Sequence, residues 1–335
     1  MKTFLKAALL ATTALCLPLA AQADDEIKVS VADAQAIGFD YDQDDLVGNS
    51  GMVRVDADDW AEAMAASKTS ATTAGQAGNA AAQAAQDAAG VTGITIEQTN
   101  GADITGTLNL TGGDQLGDVS ATAAAIGNSL SVVTGGSDLD LSAVQANTAG
   151  IDADLTLDGS FAGDSGSLNA TAAGIANSLS AELGNGNALT ATQTNTGDVA
   201  ADLSMSAETG TIGAQALSVT AAAIGNSANV TGSVADDAVS LNQSNGGDVT
   251  GTLSLGIEGA QTDAEGSGVA QATVAAIGNS FSGGYTGGVG GLKLVQDNRA
   301  EATATGTVRA VGSDVAATAA AIGNSASVNV GVSVQ

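Results

Sequence analysis

"TAAAIGNSLSV", Thr122 to Val132, returns as "TAAGIANSLSA" from Thr171, "TAAAIGNSANV" from Thr220, "TVAAIGNSFSG" from Thr273 and "TAAAIGNSASV" from Thr318. A second element alternates with it: "ITIEQTNGADITGTLNL" from Ile94, "LDLSAVQANTAGIDADLTL" from Leu139, "LTATQTNTGDVAADLSM" from Leu189, "VSLNQSNGGDVTGTLSL" from Val239 and "LKLVQDNRAEATATGTV" from Leu292. Self-similarity at a steady period specifies stacked repeats before any local propensity is weighed. The glutamines Gln98, Gln145, Gln193, Gln243 and Gln296 recur every 47 to 53 residues. From Asn128, Asn177, Asn226 and Asn279 to the next glutamine the gap is 16 or 17, whereas from each glutamine to the next of these asparagines, ending at Asn324, it ranges from 28 to 36. One junction is constant, and the other absorbs insertions such as those at Thr111 to Asp118 and Gly256 to Gly268.

Around Gln98, one parity reads Ile94, Ile96, Gln98, Asn100, Ala102, Ile104, Gly106, Leu108 and Leu110, and the other is mostly polar. Alternation at period two predicts strands with one buried face, and the Gln-x-Asn cluster with a following Gly supplies a turn. Each arm is expected to be strand–turn–strand. The Asn-Ser arm places Thr122, Ala124, Ile126, Asn128, Leu130 and Val132 on one parity while Val119 falls on the other. That arm reads as a strand with a bulge near the alanines, the rival being a short helix capped by Gly-Asn.

The chain is thus expected to be an all-β solenoid of five repeats of about 50 residues over 91–335, each repeat forming two strand–turn–strand rungs of about 24 residues. Stacked at about 4.8 Å, identical amides meet rung after rung and pair along the axis, which removes the cost of burying them alone. The expected ladders are the five glutamines, the set Asn100, Asn147, Asn195, Asn245 and Asn298, and the set Asn128, Asn177, Asn226, Asn279 and Asn324. The alternative is that these amides are turn residues facing water.

"MKTFLKAALLATTALCLPLAAQADD" has Lys2 and Lys6 before an apolar run and Ala21-Gln22-Ala23 before two acids, a secretory signal over 1–23. Leu15 ahead of Cys16 argues against a lipoprotein signal. Cys16 and Pro18 are the only Cys and Pro, and His is absent. With two lysines and no acid lost on cleavage, the net charge of −28 becomes −30. That balance argues against nucleic acid and anionic lipid as partners, since both need basic patches. Segment 24–90 is acidic, then Ala-rich, and reads as a degenerate repeat, a cap or a linker; its "WAEAMAASKTSATTAGQAGNAAAQAAQDAAG", from Trp60, suits a helix or a flexible connector.

Catalysis needs a base, nucleophile or metal in defined geometry. Without His or mature Cys, only paired acids such as Asp44-Asp45 and Asp236-Asp237 remain, so no enzyme, cofactor or metal site is expected. "GGDQLGD" at Gly112 is the nearest approach to a calcium nonapeptide and occurs once.

Gln-x-Asn and Gly-Asn-Ser at arm centres, strand–turn–strand rungs, and an exported chain without Pro or Cys after residue 23 resemble the curlin repeats of bacterial surface amyloid fibres. The long unit with its Ala-Ile-Gly-Asn-Ser element is still more similar to holdfast-anchor surface proteins of alphaproteobacteria. The resemblance covers Val91 to Gln335 and implies a secreted surface protein that forms amyloid-like fibres or anchors an adhesive, associated with the outer membrane, with self-association, a secretion or anchoring partner, and a surface polysaccharide as expected contacts. The alternative is a capped monomeric solenoid that binds a surface glycan through its loops. The terminal "SVNVGVSVQ" sets Val328, Val330, Val332 and Val334 on one parity with no charge or proline after them, the pattern of an open polymerisation edge.

Overall fold

A computed structural model describes residues 26–32, 51–55, 68–70, 74–86, 93–112, 118–134, 140–159, 167–184, 186–207, 216–232, 238–257, 269–286, 291–310 and 314–331. Those residues are strands and short turns, with no helix among them.

The repeats fold as successive triplets of strands. They are β5 (Gly93–Asn100), β6 (Ile104–Gly112) and β7 (Asp118–Thr134); β8 (Asp140–Asn147), β9 (Ile151–Gly159) and β10 (Ser167–Leu183); β11 (Ala188–Asn195), β12 (Val199–Ala207) and β13 (Ala216–Gly232); β14 (Ala238–Asn245), β15 (Val249–Ile257) and β16 (Val269–Thr286); and β17 (Gly291–Asn298), β18 (Ala302–Ala310) and β19 (Asp314–Gly331). Ahead of them lie β1 (Glu26–Ala32), β2 (Gly51–Val55), β3 (Lys68–Ser70) and β4 (Ala74–Gln86). Every strand pairs in parallel with its counterpart one repeat away, giving three sheets: β1-β5-β8-β11-β14-β17, β2-β6-β9-β12-β15-β18, and β3 with β4, then β7-β10-β13-β16-β19.

The chain is a β-solenoid, but each repeat makes one rung, not two. Gln98 pairs with Gln145 and Asn128 with Asn177, a full repeat apart. The reason is burial. An arm of about 24 residues has a single apolar face, and that face must be covered by the other arm, so the two arms become the two layers of one rung.

The first layer is β5 and β6, joined by the tight turn Gly101–Asp103, and the second is the single long strand β7. Ala121, Ala123 and Ala125 pack towards Ile104, Leu108 and Leu110, small side chains against large ones, in a core continuous along the stack. Leu130 and Val132 pack towards Ile96, Leu141 and Ala143 in a second core. Strand β7 serves both by changing phase between Gly127 and Asn128, which are buried consecutively.

That phase change corrects the single parity expected for Thr122, Ala124 and Ile126: these three are only partly buried, while Ala121, Ala123 and Ala125 point inward. The irregularity lies just after the alanines, at the Gly of Gly-Asn-Ser, where the ladder register skips from Ile126 to Asn128. A Cβ on Gly225, the equivalent position two rungs on, would lie 2.5 Å from Asn245 Oδ1 and 2.6 Å from Gly278 O. The approach of Asn245 from the facing layer favours Gly there, although the second repeat accommodates a buried Ala176 at the same position.

Candidate functional site

Three columns of buried amides run between the two apolar cores. In the first, Gln145 Nε2 donates to Gln98 Oε1 at 2.8 Å, Gln193 to Gln145 at 2.8 Å, Gln243 to Gln193 at 2.7 Å and Gln296 to Gln243 at 2.8 Å. The same nitrogens also donate across the rung to the carbonyls of Ser178, Ser227, Ser280 and Ser325, at 2.8 to 2.9 Å, and Gln98 does so to Ser129 O. Each glutamine therefore stitches the first layer to the second as well as rung to rung.

The second column runs the opposite way. Asn100 donates to Asn147 Oδ1, Asn147 to Asn195, Asn195 to Asn245 and Asn245 to Asn298, all at 2.7 or 2.8 Å. Their other N–H closes the turn, as in Asn147 Nδ2 to Ala149 O and Asn195 Nδ2 to Gly197 O, both at 2.8 Å. The third column links Asn128 to Asn177, Asn226, Asn279 and Asn324 in the same sense, at 2.7 or 2.8 Å. Its second N–H reaches forward to the next rung's first layer, as in Asn128 to Ala146 O and Asn177 to Thr194 O at 2.9 Å. Both donors of each interior amide are used, so these polar groups can sit in the core without the penalty of an unmade bond.

The columns stop at the fifth rung. Gln296 and Asn298 are partly buried and Asn324 is exposed, whereas their counterparts Gln243, Asn245 and Asn279 are fully buried. No hydrogen bond among the described residues reaches Gln296 Oε1, and Asn298 and Asn324 have no further amide to donate to along the axis. Strands β17, β18 and β19 are the edge strands of the three sheets. Val328 and Val330 stand in register with the buried Gly283 and Tyr285, yet they are 45% and 42% exposed, while Val132 and Val230, in the same column as Val328, are at 1% and 0%. Val332 and Val334 lie outside the described residues.

The structure also brings together acids the sequence reading did not single out. Asp154 and Asp202 are register partners on the outer face of the second sheet, Asp152 lies two residues before Asp154, and the three carboxylates lie within 4.8 Å of one another. Burial, then Asp154 and Asp202, push the Asp152 carboxyl up to about 6 from its ordinary 3.8; burial, then Asp202, also raise Asp154. Aligning "DADL" with "AADL" at outward parity would have revealed the cluster. Asp44-Asp45, Asp236-Asp237 and most of "GGDQLGD" lie outside the described residues.

The family model described as holdfast attachment protein D matches residues 11–197 and again 163–333. No curated protein and no solved structure matches the chain.

Proposed function

The chain belongs to the holdfast attachment protein D family, and on that premise we propose that it is exported as a stiff structural subunit that joins further subunits end to end, anchoring an adhesive at the cell surface. Its role in surface adhesion comes from the family; the mode of action is our reading. The observation that carries it is the fifth rung. Three edge strands, three interrupted amide columns and the exposed valines Val328 and Val330 meet on one face. An open parallel rung presents unpaired backbone groups and apolar surface together, which is the template for strand addition.

The interior supports the same reading. A subunit held by in-register parallel strands and amide columns is rigid along its axis, as an anchor under tension must be. The strongly acidic composition keeps subunits soluble and apart until they are concentrated at their site. The alternative, a capped monomer that binds a glycan through its loops, predicts no growth from this face. Thioflavin fluorescence and electron microscopy of the purified protein distinguish the two: axial polymers support the proposal, and a persistent monomer that retains polysaccharide overturns it.

A further inference from the structure

The two ends of the stack differ. Interior glutamines donate backwards and both asparagine columns donate forwards, so the fifth rung offers an acceptor at Gln296 Oε1 and donors at Asn298 and Asn324. The complement is a rung with Gln and Asn two residues apart on its first strand and Asn on its third, in parallel register. The first repeat rung, with Gln98, Asn100 and Asn128, has that pattern.

Within one chain, however, that rung is already covered on its other side. Strand β1 pairs with β5, β2 with β6, and β3 and β4 with β7. This covering rung departs from a repeat in its first and third sheets. Val31 stands opposite Gln98, so the glutamine column is not continued. Strand β4 keeps Asn79 opposite Asn128 and then slips register before Ala82. A second copy's fifth rung matches the same face in full, with amides in all three columns.

We infer that the fifth rung binds the first repeat rung of a second copy, and that strands β1–β4 occupy that face in each chain as a displaceable cap. This inference rests on the end-to-end reading above. Subunits then join by exchanging a poorly matched covering rung for a well-matched one, so that cap release accompanies each addition. The cap also explains how one chain can carry complementary ends without polymerising during export.

The test uses the full chain. Ser30 and Glu97 are register partners between β1 and β5; Ser30→Cys with Glu97→Cys, in a Cys16→Ser background, allows the cap to be locked by a disulfide and released by reductant. A second protein, Val29→Asp with Val31→Asp, loosens the cap instead. Assembly is followed by light scattering and electron microscopy. The expected result is a lag at least about tenfold longer for the oxidised lock, restored to the wild-type value by reduction, and a shortened lag for the loosened cap. Equal lags for locked, unlocked and loosened proteins would overturn the cap while leaving end-to-end growth standing. Failure of the disulfide to form would also overturn it, since the two strands would not be neighbours. No polymer from any of the proteins would overturn the end-to-end reading itself, and the cap with it.

Discussion

Gln193 Nε2 donates at 2.8 Å both to Gln145 Oε1 in the preceding rung and to Ser227 O in the opposite layer of its own. Its own Oε1 accepts from Gln243 at 2.7 Å. One amide thus makes three bonds in a fully buried site, and two substitutions test them.

Gln193→Leu keeps the volume but orphans Gln145 Oε1, Ser227 O and one Gln243 N–H; it should cost about 2–3 kcal/mol. Gln193→Glu should cost more at neutral pH, because a buried carboxylate then faces two acceptors with no cation nearby. Lowering the pH protonates that carboxyl and restores one donor, so the Glu protein should recover stability in acid while the Leu protein does not. Urea denaturation of both at pH 7 and pH 4 checks this; equal stability at pH 7 would put the side chain in water.

The glutamine and asparagine columns were legible in the sequence because a repeated amide on an apolar parity has few other uses. The number of rungs per repeat was not. Period-two alternation marks a buried face but does not say which arm covers it, and both arms alternate equally well around Gln98 and Asn128. The phase change at Gly127 was half visible, since Val119 already broke the parity of Ile126; only the two facing cores show why one strand must point inward twice. The carboxylate cluster Asp152, Asp154 and Asp202 stayed hidden because two of its members come from one repeat and the third from the next.

The Asp152 carboxyl gives a pH signature. Its folded pKa of about 6 stands above the ordinary 3.8, so between these values the folded chain holds a proton that the unfolded chain does not. Stability therefore falls as pH rises through that window and is flat above it. Asp152→Asn should flatten the slope and stabilise the protein at pH 7 by on the order of 1 kcal/mol, a figure kept small because solvent screens a half-buried group. Thermal unfolding from pH 4 to 7 measures it; parallel curves for the two proteins would place the carboxyl in ordinary solvent.

The connection between the second and third sheets varies most: Ile257 is followed by β16 at Val269, whereas Ala310 is followed by β19 at Asp314. Shortening 258–268 to three residues should leave the far-ultraviolet circular dichroism and the unfolding midpoint unchanged. Loss of β-signal would mean that this connection, and not the stack, sets the rung.

Charge should govern assembly. With a net charge of −28 over the full sequence, which becomes −30 without 1–23, subunits repel one another until salt screens them. Raising sodium chloride from about 10 mM to 150 mM, which shortens the screening length from about 30 Å to 8 Å, should speed polymerisation several-fold in light scattering. Slower growth with salt would mean that attraction between opposite charges, and not apolar and amide contact, joins the subunits.

The central claim is that growth proceeds from the fifth rung. Val328→Lys with Val330→Lys places two cations on core-column positions that no described residue stacks upon. Its polymerisation rate, measured by thioflavin fluorescence beside the wild type with circular dichroism as the folding control, tests that claim most directly. The account predicts a folded protein that remains monomeric over the time in which the wild type forms fibres. Fibres at the wild-type rate would contradict it.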